Sequence, residues 1–248
     1  ATDNDANTSV FPDSLALNSA YMVKNTISSI SDIQSTPYGS GASIFAGDTL
    51  TNISIKGVVV STIRQRDLGY IILADGTGPN SAIFIRPTAG DGTANWRRGD
   101  SIEILSCIVR ERGSQGADPF GRIASNGTTF LENVGFGNSN VLATCANIPQ
   151  GTILAFDSLV SPTFNKEPYE AVICQVNDVW VVAANADAPT SNFGEWAVNT
   201  DSSATTGLRG DDVSSHFGMN YNGDSLNIGG VKEFWPTYKG ALVFTYGN

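Results

Sequence analysis

The strongest constraint on the fold is a six-residue pattern that occurs twice, half a chain apart. Residues 99–104 read Gly-Asp-Ser-Ile-Glu-Ile, and residues 223–228 read Gly-Asp-Ser-Leu-Asn-Ile, 124 positions further along a chain of 248 residues. Gly-Asp-Ser alone is common turn chemistry, but the order of apolar segments before it is also similar in the two halves. Repetition at a fixed spacing predicts two copies of one structural unit.

Hydrophobic periodicity predicts one helix and five strands in the first copy. Apolar side chains recur every three to four positions over residues 21–33, which is typical of a short helix, and Pro37 and Gly39 then break the pattern. From Ile53 the period changes to two, which is typical of strands. We predict strands over 53–60, 69–74, 82–86 and 101–112, and a short last strand that begins at Gly121. Gly57 marks a bulge or a close backbone approach inside the first strand.

The second copy is predicted from the same kind of pattern. Residues 169–176 correspond to the first strand, 179–183 to the second, and 195–198 loosely to the third. Five strands, of which the first is long and twisted, are typical of an OB-type Greek-key barrel. We therefore expect an all-β fold with a minor helix. Its parts are a leader strand and short helix (1–44), an OB-like barrel (45–140), a linker (141–151) and a second OB-like barrel (152–248).

Several of these segments resemble a family of secreted tandem OB-fold proteins of Bacteroidetes-type cell surfaces. The resemblance covers about residues 25–248. It is carried by the Ile-x-x-Ile-x-x-Ile pattern from Ile27, then by Ser54–Val59, Ile71–Gly78, Arg98–Ile102, Leu226–Val231 and Leu242–Phe244. The family has no assigned biochemical function. The resemblance implies two tandem barrels and an extracellular location, and it carries over no catalytic residues.

Composition also favours an extracellular protein. Charged residues make up 15% of the chain, against about 25% in average soluble domains, and glycine is abundant. The sequence begins Ala-Thr-Asp, as a mature chain does after signal peptidase has cut behind a small residue, so we expect secretion. No run of 18 apolar residues occurs, so we expect no membrane span.

The three cysteines predict either one disulfide with one free thiol or three small buried side chains. They are Cys107, Cys145 and Cys174.

The sequence offers little catalytic chemistry. Nucleophilic catalysis needs a base beside the nucleophile, and His216, the single histidine, is interpreted as a surface or turn residue. We therefore expect no enzyme. The net charge of −10 disfavours binding to nucleic acids. Asp3, Asp5 and Asn7 have the spacing of the start of a calcium loop, but Thr8 stands where glycine is expected, so a polar leader is favoured. We expect no cofactor, and Ca²⁺ is the candidate ion.

Charge asymmetry favours self-assembly as the function. Residues 45–140 carry nine cations and nine acids, whereas residues 141–248 carry four cations and eleven acids. Complementary ends favour a head-to-tail contact, which does not close on itself and propagates as a filament. Both chain ends have strand-like apolar residues that suit addition to a neighbour's sheet edge, namely Val10, Phe11, Val243 and Phe244. The hypothesis is a non-enzymatic structural or adhesive surface protein; docking of both ends on their own chain is the open alternative.

A second function remains open, that of a binding module for carbohydrate or another polymer. Tyr70, Phe84 and Arg86 lie on strands that form the binding face of OB barrels, and aromatic rings stack on sugars. Trp196 is the matching candidate in the second half, although core packing is the favoured interpretation of each tryptophan.

Overall fold

The computed structural model describes residues 27–34, 43–64, 67–68, 70–112, 128–186, 195–210, 227–228 and 231–243. The helical elements of this part are α1 (Ile30–Gln34), α2 (Phe156–Val160) and two 3₁₀ turns, Thr93–Asn95 and Glu167–Tyr169. The strands are β1 (Thr49–Ser61), β2 (Ile71–Ala74), β3 (Ala82–Ile85), β4 (Ser101–Arg112), β5 (Thr128–Glu132), β6 (Ser139–Ala143), β7 (Thr152–Ile153), β8 (Ile173–Ala183), β9 (Trp196–Asn199), β10 (Leu208–Gly210), β11 (Asn227–Ile228), β12 (Val231–Lys232) and β13 (Phe234–Ala241).

Strands of the first half form a closed barrel. The sheet order is β1-β2-β3-β5-β4, and β4 pairs back with β1 to close it. β3 and β5 run parallel, and the other pairs in the barrel are antiparallel. The prediction of an all-β fold with a minor helix is therefore confirmed. The observed bounds of β4 are those predicted, whereas the start expected for the last strand, Gly121, lies outside the described residues.

Helix α1 is held against the barrel by local capping and by two buried isoleucines. Ser29 Oγ accepts a hydrogen bond from the Asp32 amide at 3.2 Å, and the Asp32 carboxylate accepts one from the Ser29 amide at 2.9 Å. This reciprocal pair is a capping box with aspartate in place of the usual glutamate. Ile30 and Ile33 are fully buried in the barrel core, so α1 covers apolar side chains that would otherwise face water.

Gly57 allows β1 and β2 to approach closely. A Cβ atom at this position would lie 2.7 Å from Leu73 Cγ and 3.0 Å from the Ala74 carbonyl oxygen. The close backbone approach predicted from the sequence is therefore present. Since backbone as well as side-chain atoms fill the space, the contact cannot be relieved by a single rotamer change.

The second half forms a five-stranded sheet. β8 pairs with β9 and with β13, β10 pairs with β9, and β7 pairs parallel with β8. Its core contains Val176, Val179, Val181, Trp196 and Val198. Within the described part of the chain no strand joins β10 to β13, so the expected second barrel is seen here as an open sheet.

The strand correspondence predicted for the second half was wrong by one strand. Residues 169–176 and 179–183 were expected to form two strands, but Ile173–Ala183 is one continuous strand. Asp178 lies at φ 54°, but β13 pairs with β8 in one unbroken register on both sides of it, so the polar pair Asn177-Asp178 lies within the strand and is not a turn. β9 is therefore the second strand of the unit.

With this correction, the two halves follow the same order. α1 and α2, β1 and β8, β2 and β9, and β3 and β10 lie about 124 residues apart. β1 pairs with β2 on one side and β4 on the other, and β8 pairs in the same way with β9 and β13. Each of these long strands contains one residue at positive φ: Asn52 near the start of β1 and Asp178 in the middle of β8. Asparagine and aspartate tolerate this left-handed conformation better than other side chains.

The boundary between the first half and the linker lies later in the chain than the sequence predicted. β6 pairs with β4, so residues 141–143, at the start of the expected linker, belong to the sheet of the first half.

Cys107, Cys145 and Cys174 are free thiols; Cys107 and Cys174 are buried, whereas Cys145 is exposed. No helix in the described part of the chain is long and apolar enough to cross a membrane.

Replacing Gly57 by alanine is expected to destabilise the protein by about 1–3 kcal/mol, because the added methyl group has no space between β1 and β2. Gly240→Ala in β13 is the matched control, since a Cβ atom there meets no atom within 4 Å. The free energy of unfolding from urea titration measures both. Equal stabilities of the two variants would contradict the close approach at Gly57.

We expect one thiol per native chain, Cys145, to react with a maleimide. Burial raises the pKa of Cys107 and of Cys174 to about 12, so neither forms the reactive thiolate near neutral pH. Peptide mass spectrometry locates the label, and all three cysteines should react in denaturant. A native protein that resists labelling at Cys145, or reacts quickly at Cys107, would contradict this description.

Candidate functional site

Strands β2 and β3 are buried on both of their faces. Alternate residues, such as Leu73 and Ile83, point into the barrel core, while Ile72 and Phe84 belong to a second apolar core. The second half contributes Ala171, Val172 and Cys174 to that second core. We call this shared core the junction. It places the outer face of β2 and β3 under the second half of the chain.

The junction covers the outer face of β2 and β3, where the sequence predicted a ligand-binding surface. Phe84 is 4% exposed, and its ring meets the half-buried Tyr70 edge-on, with 5.3 Å between the ring centroids. The structure thus brings two of the predicted ligand-binding residues together, but in a packed core. Phe84 presents no ring face on which a sugar could stack.

Arg86 lies at the solvent-exposed margin of the junction. Its guanidinium group stands over the Phe130 ring, 5.6 Å from the centroid, and Nη1 lies 3.1 Å from Glu132 Oε1. Glu132 also accepts a hydrogen bond from Arg110 Nε at 3.1 Å. Arg86 is therefore exposed but already engaged with an acid and an aromatic ring of its own chain.

Trp196, the ligand-binding candidate of the second half, lies away from these residues. It is 4% exposed and packs in the core of the second sheet with Val179 and Val198. This is the core-packing interpretation that the sequence favoured.

The chain end is docked on its own chain as far as Val243. The Leu242 carbonyl accepts a hydrogen bond from the Ala171 amide at 2.9 Å, and the Leu242 amide donates to the Val172 carbonyl at 3.2 Å. Val243 packs against the junction. The other predicted assembly and metal residues, together with the histidine, lie outside the described residues: Val10, Phe11, Phe244, Asp3, Asp5, Asn7 and His216. Among described residues, no group of three or more His, Cys, Asp or Glu side chains could hold a metal ion.

Thr129 of β5 is bound by two buried glutamates from different halves of the chain. Its amide donates to Glu170 Oε1 at 2.7 Å, and its hydroxyl donates to Glu111 Oε2 at 2.8 Å. Glu170 is 1% exposed and Glu111 6% exposed. The sequence analysis missed this site. Glu111 follows the fully buried Cys107 and Val109 at a spacing of two, which was the signal that its side chain faces inward.

These carboxyl groups are difficult to ionise. Burial raises the pKa of Glu111 to about 7 and that of Glu167 to about 8, with a contribution from Glu111 in the second case. The pKa of Glu170 is raised well above its ordinary value, first by burial and then by the charges of Glu111 and Glu167. The remaining oxygens, Glu111 Oε1 and Glu170 Oε2, are buried and have no hydrogen-bond partner among the described residues. Such oxygens favour the protonated carboxyl group near neutral pH.

The most exposed apolar side chains of the first half lie on and next to β6. β6 is the last strand in its sheet order. Val141 is 54% exposed and Leu142 48% exposed, although consecutive side chains of a strand point to opposite faces. Both faces of β6 are therefore accessible. We call β6 with its exposed apolar side chains the β6 edge.

A groove of about 390 Å³ lies beside the β6 edge. Phe136, which is 77% exposed, forms one wall, and Ile63 and the loop after β3 form the others. Gly92 lies close to the Phe136 ring: it has φ 86°, which favours glycine, and a Cβ atom there would clash with the ring. Phe136 lies three residues before the start of β6, so the groove and the β6 edge are neighbours along the chain.

The comparisons with known proteins add no assignment. Neither protein-family models, nor curated proteins, nor solved structures gave a match to the chain. The resemblance to secreted tandem OB-fold proteins stays a hypothesis from the sequence pattern, and the function must be argued from the geometry.

Phe84→Ala is expected to destabilise the protein by about 3–5 kcal/mol, because it leaves a cavity in the junction. Phe136→Ala is the matched control: the same substitution at an exposed site should change stability by no more than about 0.5 kcal/mol. Urea unfolding followed by circular dichroism measures both at low protein concentration. Similar stabilities would show that the second half does not cover the β2–β3 face.

Proposed function

We propose that the chain is a secreted, non-enzymatic structural or adhesive surface protein that assembles head to tail with further copies of itself. The β6 edge is the proposed contact surface on the first half.

We also propose that the first barrel is of the OB type, because closure in the order β1-β2-β3-β5-β4 with β3 parallel to β5 is the connectivity of that fold. The second half is then a divergent copy of this unit, because α2, β8, β9, β10 and β13 correspond in order to α1, β1, β2, β3 and β4.

The observation that carries the assembly proposal is the β6 edge itself. Strand edges present backbone donors and acceptors to any strand that reaches them, and proteins usually blunt them with charges or proline. Ser139–Ala143 contains neither, and its central residues Val141 and Leu142 are apolar and exposed. Such an edge suits the addition of a strand from another molecule.

Charge supports a second copy as the partner. Arg64, Arg97 and Arg98 are exposed in the segments that flank the groove, and Arg64 Nη2 donates to the Asn95 carbonyl in the groove wall at 3.3 Å. The second half carries eleven acids against four cations. Exposed, described acids of that half are Asp157, Asp178, Asp201 and Glu233. A contact between the first half of one copy and the second half of the next joins opposite charges.

Geometry then favours an open polymer. A contact between two different surfaces of identical chains is heterologous, and it forms a ring only when the rotation between copies happens to close. The donor strand expected from the sequence, around Val10 and Phe11, lies outside the described residues, so its role is part of the proposal.

Replacing Val141 and Leu142 together by lysine should abolish self-association, because two charges on an edge strand oppose strand addition. Sedimentation velocity and negative-stain electron microscopy of the wild-type protein and of this variant measure the effect. The matched control is Ile44→Lys with Thr51→Lys, which adds the same charge at two exposed residues of the first half that belong neither to the groove lining nor to β6.

The control variant is expected to assemble as the wild type does. A chain that lacks residues 1–14 provides a second arm: loss of polymers assigns the donor strand to the leader, and retained polymers assign it to the second half. A wild-type protein that stays monomeric at high concentration, or an edge variant that polymerises normally, would refute the proposal.

A further inference from the structure

The contact between Thr129 and its two glutamates lies where the two halves of the chain meet. Glu111 and Thr129 belong to β4 and β5 of the barrel, whereas Glu170 follows the 3₁₀ turn Glu167–Tyr169 of the second half. The same turn makes another backbone contact with the barrel, since the Asn80 amide donates to the Pro168 carbonyl at 2.5 Å. The segment 167–170 is thus a docking point of the second half on the barrel.

We propose that Glu111, Thr129 and Glu170 form a proton-controlled clasp between the two halves, which is tight while the carboxyl groups hold protons and loosens when they lose them. The proposal is independent of self-assembly, because it concerns one chain.

Geometry is the first support for the clasp. Thr129 is 1% exposed and uses both of its donors, one on each carboxyl group. Each carboxyl group keeps one buried oxygen that no described residue contacts by a hydrogen bond, Glu111 Oε1 and Glu170 Oε2. A proton on a carboxyl group removes the cost of a buried charge, while the bonded oxygen still accepts from Thr129.

Among the described residues, none supplies an opposing charge to the two carboxyls. The described groups that act on the two carboxyls are the Ser43 amide, which donates to Glu111 Oε2 at 3.4 Å, the Gln34 side chain, which interacts with Glu170, and the carboxyl of Glu167. The first two are neutral, and the third is acidic. When protons leave to solvent, two negative charges are bound to the same threonine, and their repulsion acts across the junction.

The direction of the pH dependence follows from proton binding. Folding raises the pKa of Glu111 from 4.5 to about 7, so the folded chain binds more protons than the unfolded chain between these values. Stability must therefore fall as the pH rises through this range. For each carboxyl group that is protonated in the folded state and ionised in the unfolded state, a rise of one pH unit increases the unfolding equilibrium constant by up to about tenfold.

The test compares urea unfolding of the full chain between pH 5 and pH 8.5 in the wild type and in the double variant Glu111→Gln, Glu170→Gln. Glutamine keeps the shape and the acceptor oxygen but does not titrate. The wild type should lose stability as the pH rises, and the double variant should lose much of that dependence. Glu233→Gln is the matched control, because Glu233 is exposed, and it should retain the wild-type slope.

A second measurement uses only the wild type, in case the double variant folds poorly. Amide hydrogen exchange, corrected for the intrinsic effect of pH, should show loss of protection at pH 8.5 in residues 78–82, 128–132 and 167–172, with smaller loss in the paired parts of β1 and β4. A wild-type stability that does not fall over this range, an unchanged slope in the double variant, or uniform loss of protection would overturn the clasp.

Discussion

The structure depends on the burial of β2 and β3 on both of their faces. Ile71 and Leu73 fill the barrel, and Ile72 and Phe84 point away from it, so the barrel alone would expose a large apolar surface. Burial of such side chains contributes about 1.5–3 kcal/mol each, which makes a covering element necessary. The second half covers this face, and its docking also explains the burial of Glu170 and the position of Val243 on its own chain.

Because the face of the barrel is covered, the surface that is available for binding lies at the barrel edge, on β6. The β2–β3 face, on which the ligand-binding alternative depended, is packed in the junction. The β6 edge and the groove at Phe136 remain exposed and apolar, and they are the basis of the proposed assembly. The buried glutamates serve neither surface; they join the halves and make that joint sensitive to protons.

Much of the barrel could be predicted because it rests on local patterns. Apolar patterns predicted β1 to β4, and Gly57 predicted a bulge or a close backbone approach, of which the structure shows the approach of β1 to β2. The continuous apolar runs of β2 and β3 also contained the signal that both faces are buried, but the covering partner depends on long-range packing that one sequence does not reveal. Asn177-Asp178 separated two predicted strands because polar pairs are typical of turns, whereas in the structure the pair lies inside β8. The exposure of β6 and the meeting of Glu111 with Glu170 likewise depend on tertiary structure.

Hydroxyl-radical footprinting of the native protein most directly tests the central claim that the second half covers the β2–β3 face. It compares the oxidation rates of three phenylalanines in one sample, so the chemistry of the side chain is constant. Phe84 and Phe130 should be strongly protected, and Phe136, which is 77% exposed, should oxidise rapidly. Oxidation of Phe84 and Phe130 at the rate of Phe136 would contradict the account, because it would show an open barrel face with the second half docked elsewhere.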